Sequence, residues 1–222
     1  MVSAMAMIER YMVSTVHALA DRVGRVLGEH GLIALPTESF YGLAVDPFDR
    51  QALARLWEVK HRSEGKPILV LIGDGSQLQS FVQSVPPAAT ALMNAFWPGP
   101  LTIVFPAAGG LSDVVTAGTG SVGIRLSAWQ PLVDLLRRVG PVTGTSANRE
   151  GMQPPRTAEE VQCNLGDVLD LIIDAGPTPG GQPSTVIDVQ GPIRIIRKGA
   201  IERSAIAAQL AVFDLYLDAD SR

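Results

Sequence analysis

The sequence predicts an α/β fold: a single domain built on a twisted mixed sheet flanked by helices. Three observations carry this. Apolar runs of strand length alternate along the chain with segments whose apolar residues recur at helical spacing. A late hairpin pattern over residues 184–199 adds antiparallel pairing to a sheet that alternation alone would make parallel. The 222 residues, 46% of them hydrophobic, suffice to bury one sizeable core.

The elements follow in order. Thr15 to His30 has amphipathic spacing and stops before Gly31, and residues 31–37, GLIALPT, read as a buried strand. Asp49 is placed to cap a helix that carries Leu53, Leu56, Trp57 and Lys60 on one side. PILVLIG (67–73) and GPLTIVFPA (99–107) are strands, the second entered through the stiff Trp97-Pro98-Gly99-Pro100 corner. SVGIRLS (121–127) is another. The Ser127-x-x-Gln130 capping box then announces a helix with Leu132, Leu135, Leu136 and Val139 at helical spacing. After PVTGTS (141–146), Thr157-x-x-Glu160 caps a further helix, DLIIDAG (170–176) is a strand, and the hairpin turns near Gln190-Gly191. No internal repeat or linker interrupts the chain. Glycine and proline cluster at 106–120, 149–156 and 175–183, in loops long enough to border a site.

Composition narrows the function classes. Charged residues make up 18%, the net charge is −4, and no run of five like charges occurs, which argues against a protein that coats nucleic acid. Cys163 stands alone, which excludes an internal disulfide framework and a multi-cysteine zinc site and fits a reducing compartment. The N-terminal MVSAMAMIERYMV carries Glu9 and Arg10 and lacks a basic n-region, so it reads poorly as a signal peptide. No apolar run approaches the roughly 18 to 20 residues that span a bilayer. The expected location is the cytoplasm.

Several polar clusters fall at strand ends, where α/β folds assemble sites: PTESFYG, KHRSEGKP, Ser121, Arg125, GTSAN, PST and Arg197. Each has a plain structural reading beside a functional one. Lys60, Arg62 and Lys66 suit a solvated turn after a helix as well as a phosphate site. Arg125 interrupts an apolar strand, and a buried guanidinium needs an anion: a ligand carboxylate or phosphate, or a structural partner such as Asp174 or Asp188. Ser146-Ala147-Asn148 can be a helix cap or Asx turn.

Taken together, PTESFYGL, KHRSEGKPILVLI, FWPGPLTIVFP, VGIRL, GTSAN, PSTVIDV and IIRKGAI, in this order and spacing from about residue 16 to 201, resemble the YrdC-like threonylcarbamoyl-AMP synthases. The resemblance implies a concave basic cavity and a reaction that combines L-threonine, bicarbonate and ATP into threonylcarbamoyl-adenylate and pyrophosphate, for the threonylcarbamoyladenosine modification of tRNA. Such chemistry brings two anions together, so fixed cations and hydroxyl or backbone donors are required. By resemblance, Lys60 and Arg62 take the catalytic, charge-stabilising role. Arg62, Lys66, Ser121, Ser146, Asn148 and Arg197 fall on nucleotide-contacting positions, and Ser39, Arg125 and Ser184 on threonine-contacting ones. Tyr41 would pack beneath Ser39, and Gly42 would let the chain turn close to the ligand.

No metal-ligand spacing is present, so Mg2+ is expected to arrive with ATP, held by phosphate oxygens and water. Glu38 is left either to orient a cation of the cluster or to help hold Mg2+. Transfer to tRNA is expected to need other proteins, with tRNA binding by this chain weak or absent and no membrane contact. Ser63, Leu71 and Arg149-Glu150-Gly151 depart from the pattern of many relatives. About twenty residues follow RKGAI, enough for a terminal helix over about 202–217 and indicating the single-domain form. Two alternatives remain from the sequence: a carbamoyl-adenylate-forming module of the hydrogenase-maturation type, and a double-stranded-RNA-binding module.

Overall fold

The computed structural model describes residues 5–12, 15–60, 67–149 and 151–218. Among these, the order is β1 (Met7–Arg10), α1 (Val16–Gly28), β2 (Ile33–Pro36), β3 (Tyr41–Ala44), α2 (Arg50–Lys60), β4 (Leu69–Ile72), α3 (Pro87–Phe96), β5 (Leu101–Pro106), α4 (Asp113–Thr116) and β6 (Ser121–Leu126). The chain continues through α5 (Gln130–Val139), β7 (Val142–Ser146), α6 (Ala158–Leu165), β8 (Leu171–Asp174), β9 (Thr185–Asp188), β10 (Arg194–Arg197) and α7 (Arg203–Ala211). The strands form one mixed sheet in the order β1-β8-β2-β3-β7-β4-β6-β5-β9-β10.

Period-two alternation splits each strand between two faces. One face carries Leu43, Val70, Ile103, Phe105, Ile124 and Ile187, and is covered by α2, α3, α4, α6 and α7 in the larger core cluster. On the opposite face, α1 and α5 lay Leu19, Val23, Leu27, Leu132, Leu135 and Leu136 over Ile33, Leu35, Ala44, Leu71, Val142, Leu171 and Ile173. This second layer ends at β4. Among the described residues, no helix of this layer packs on that face from β6 to β10.

Four elements, β1, β3, α3 and the single-turn α4, stand where the sequence reading placed none. β3 is four residues long and wholly buried, so it shows no alternation to read. It pairs antiparallel with β2, Pro36 opposite Tyr41, which makes residues 37–40 a hairpin tip. β1 is a largely exposed edge strand beside β8, and α3 has alanines on most of its buried surface. Gly42 does not turn the chain: it lies inside β3, where a Cβ would come within 3.2 Å of the Thr145 carbonyl, so glycine permits close strand approach. Ser127 does not cap α5. The cap position is Trp129, whose amide donates to the Ser127 hydroxyl at 3.1 Å. Asp49 does cap α2, accepting from the amides of Gln51 and Ala52. The C-terminal helix is shorter than expected, because Asp214 takes a left-handed conformation just after it.

Tyr41 ties β3 to the loop after β8: its hydroxyl donates to the Gly176 carbonyl at 2.9 Å. Burial raises its phenol from 10.0 to about 12. Between these values the unfolded chain releases a proton that the native state keeps, so stability falls as pH rises from about 10 toward 12. Tyr41→Phe removes this group, and the stability advantage of wild type over the variant is expected to shrink across that window. Urea titrations of both at pH 8, 10 and 11 measure it, and a pH-independent difference would refute the assignment.

Candidate active site

The uncovered half-face is where the polar residues collect. Strand register places Gly144 opposite Leu69, Arg125 beside Leu71, Gly123 opposite Val104, Ser121 opposite Pro106, and Thr102 beside Val186. Leu69, Val104, Ser121, Gly144, Ser146 and Val186 are only half-buried in the middle of a wide sheet, whereas Val70, Ile103, Val122, Ile124 and Ile187 on the opposite face are completely buried. A row with Ser121 and Ser146 is thus separated by small or aliphatic residues from a row with Arg125, Thr102 and Arg197.

Arg197 reaches this face through an irregularity. Arg194 pairs with Asp188 and Ile195 with Ile187, but a bulge then sets Arg197 opposite Val186. Ile196 is the extra residue and is left 54% exposed. Without the bulge, alternation would send Arg197 to the other side.

Arg125 is 5% exposed. Its Nε donates to the Gly99 carbonyl at 3.2 Å, and its Nη2 forms an ion pair with Glu38. Gly99 itself must be glycine, since a Cβ there would lie 2.3 Å from the Phe96 carbonyl oxygen. The partners proposed from sequence are elsewhere: Asp188 pairs with Arg194, and Asp174 accepts from the Gly176 amide. Glu38 also accepts from the Ser127 hydroxyl at 2.7 Å.

Arg197 donates to the Ser184 carbonyl at 2.9 and 3.2 Å and to its hydroxyl at 3.0 Å, and the Ser184 hydroxyl lies 2.9 Å from that of Thr102. Burial, with the nearby charge of Arg197, pushes the Arg125 guanidinium down to about 10, and burial also lowers that of Arg197. Both remain cations at neutral pH. Among the described residues, Glu38 is the one carboxylate in ion-pair contact with either, so the pair keeps a net positive charge. Arg125 is buried and Arg197 is solvent-exposed beside it, and two guanidiniums with one carboxylate in ion-pair contact suit an anionic ligand.

The hairpin tip bearing Ser39 is held by Thr37, whose hydroxyl donates to the Phe40 carbonyl at 2.8 Å and accepts from the Ser39 amide at 3.2 Å. The Ser39 carbonyl in turn accepts from the Gly180 amide. A second cluster forms around Lys60, which is 6% exposed and donates to the carbonyls of Ser146, at 2.7 Å, and Asn148. Its ammonium anchors the loop after β7 to the end of α2. The Asn148 amide donates to the Arg149 and Met152 carbonyls, at 2.9 and 2.7 Å, and shapes that loop from within. Ser121 sits at the far end of β6 against Gln190.

The structure therefore brings Ser39, Arg125, Ser184 and Arg197 to one region and Lys60, Ser146 and Asn148 to another. Arg62 and Lys66 lie outside the described residues. Sequence reasoning missed Thr102, although it is the one polar side chain in LTIVFP, and missed the Glu38–Ser127 link, because Ser127 read as a helix cap.

The Sua5/YciO/YrdC family model, described as telomere recombination, matches residues 25–199. The chain is 38% identical over 160 residues to the threonylcarbamoyl-AMP synthase of Thiobacillus denitrificans, covering 72% of this chain and 85% of the relative. It is 37% identical over 186 residues to that of Bacillus subtilis, covering 82% of this chain and 54% of the relative. The structure of Pyrococcus abyssi Sua5 complexed with L-threonine superposes with a TM-score of 0.84 at 29% identity, over 97% of this chain and 63% of that one.

Gly199 locks the Arg197–Ser184 contact. A Cβ there would come within 2.3 to 2.5 Å of backbone atoms of Pro183, Ser184 and Thr185. Gly199→Ala is expected to cost about 1–3 kcal/mol of stability by overpacking against backbone that cannot yield. Gly191→Ala, where nothing lies within 4 Å, serves as the control and should change stability little. Urea unfolding of both variants checks this.

Proposed function

We propose that this chain, which belongs to the Sua5/YciO/YrdC family, is a threonylcarbamoyl-AMP synthase that converts L-threonine, bicarbonate and ATP into threonylcarbamoyl-adenylate and pyrophosphate for tRNA modification. The observation that carries the reading is the net-positive Arg125–Arg197 pair beside Ser184 on the uncovered sheet face. In this reading threonine places its carboxylate on Arg125, near Ser39 and Ser184, and its amine combines with bicarbonate, with loss of water, to give a carbamate. A carbamate oxygen attacks the α-phosphorus of ATP, forming one phosphorus–oxygen bond as the bond to pyrophosphate breaks.

Arg197, with Arg62 and Lys66, holds the phosphates. Ser146 and Asn148 form the nucleotide side with the loop that Lys60 anchors, Ser121 contacts the nucleotide from the far end of β6, and Lys60 and Arg62 supply positive charge toward the reacting phosphoryl group. Fixed cations in a site of low polarity stabilise such a transition state strongly. Mg2+ enters as MgATP. Among the described residues no group of three or more His, Cys, Asp or Glu could hold a metal, and the Glu38 carboxylate is engaged by Arg125 and Ser127, so phosphate oxygens and water are its ligands in this scheme.

We place the protein in the cytoplasm, beside ATP and tRNA. No helix among the described residues is long and apolar enough to cross a membrane. The adenylate passes to separate threonylcarbamoyl-transfer proteins. With a net charge of −4, this chain by itself is expected to hold tRNA weakly or not at all.

Pyrophosphate release from ATP is expected to require L-threonine and bicarbonate together. Release with threonine alone in carbonate-free buffer would instead indicate an aminoacyl-adenylate former, and release with carbamoyl phosphate and no threonine the hydrogenase-maturation chemistry.

Arg125→Lys keeps the charge and loses the planar fork. Loss of one charge-assisted hydrogen bond, roughly 1.5 to 3 kcal/mol, is expected to weaken threonine binding by about one to two orders of magnitude while ATP binding barely changes. Calorimetric titration of each ligand reads the split. Equal weakening of both, with an early melt, would assign Arg125 a purely structural role.

A further inference from the structure

We infer that Glu38 is a positioning residue for substrate: with Ser127 it fixes the Arg125 guanidinium so that the remaining edge of its fork faces the threonine carboxylate. The inference rests on the synthase reading and deepens it. A guanidinium has five donor hydrogens. Among the described residues, the Arg125 Nε donates to the Gly99 carbonyl at 3.2 Å and Nη2 meets Glu38, which leaves both hydrogens of Nη1 and one of Nη2 for a ligand.

Glu38 is itself anchored through its other oxygen. Its second oxygen accepts from the Ser127 hydroxyl at 2.7 Å, Ser127 is completely buried, and that same hydroxyl oxygen accepts from the Trp129 amide at 3.1 Å. The carboxylate, half-buried, is therefore held between two partners, Arg125 and Ser127. Its charge also offsets the repulsion between Arg125 and Arg197, which are close enough for one to lower the pKa of the other. Because the same four-residue tip carries Ser39, one hairpin both holds the arginine and walls the amino-acid site.

The test is calorimetric titration of L-threonine and of ATP into Glu38→Ala, Glu38→Gln, Arg125→Lys and the Glu38→Ala/Arg125→Lys double variant, with melting curves. Expected are at least about tenfold weaker threonine binding for Glu38→Ala and ATP binding within about twofold of wild type. Glu38→Gln, which keeps an acceptor oxygen, should recover most of the loss, and Glu38→Ala should add less than about twofold in the Arg125→Lys background. Should Glu38→Ala not fold, Ser127→Ala removes the second anchor and carries the same expected split. Threonine binding that is unchanged or tightened in Glu38→Ala overturns the inference, the carboxylate then being spectator or internal competitor, and so does equal loss of both ligands. Either result leaves the synthase reading intact if wild type still binds threonine. A wild-type protein that binds no threonine ends both.

Discussion

A guanidinium buried in a central strand, between β4 and β5, is the constraint on which the candidate site depends. Desolvating Arg125 is costly unless acceptors and an anion meet it. The neighbourhood supplies these from three separate stretches of chain: the Gly99 carbonyl at the entry to β5, the Glu38 carboxylate at the β2–β3 tip, and, through Glu38, the Ser127 hydroxyl before α5. Each has its own geometric requirement. Gly99 must lack a side chain to pass Phe96, and the hairpin tip must be stiffened by Thr37 to present Glu38 and Ser39 together.

The second constraint is the unequal covering of the sheet. On one face five helices bury the central strands, while on the other α1 and α5 stop at β4. Half of a central surface is left with small and polar residues, which explains Gly123 and Gly144 in strands that otherwise favour branched side chains. The bulge at Ile196 then delivers Arg197 to this surface, and Gly199 keeps it against Ser184. Two arginines, three hydroxyls and one carboxylate thus meet, Arg125 buried and Arg197 exposed to solvent, in a region that attracts carboxylate and phosphate groups.

Lys60 contributes differently from the arginines. Its ammonium donates to the Ser146 and Asn148 carbonyls, so a cation at the end of α2 sets the path of the loop that carries two proposed nucleotide contacts. A side chain that shapes a loop and one that touches a phosphate look alike in a one-dimensional pattern such as Lys-x-Arg. Only the packing of α2 against β7 separates the structural part of its work from the electrostatic part.

By itself the sequence determined the α/β class, the strands around residues 69–72, 101–106, 121–126 and 171–174, the late hairpin, and the caps at Asp49 and Thr157, because these rest on local periodicity and capping chemistry. It also marked Arg125 as a buried cation in need of an anion. What only the tertiary structure decided was which anion. Glu38 and Ser127 lie 89 residues apart, and their link depends on the crossing of a hairpin tip over β6 that no spacing in the chain encodes. β3 stayed hidden for a related reason: a strand buried on both faces has no polar side to alternate with. The bulge that turns Arg197 toward Ser184 is likewise a property of paired strands, since a one-residue shift in register, invisible in the letters Ile195-Ile196-Arg197, decides the face on which a charge stands.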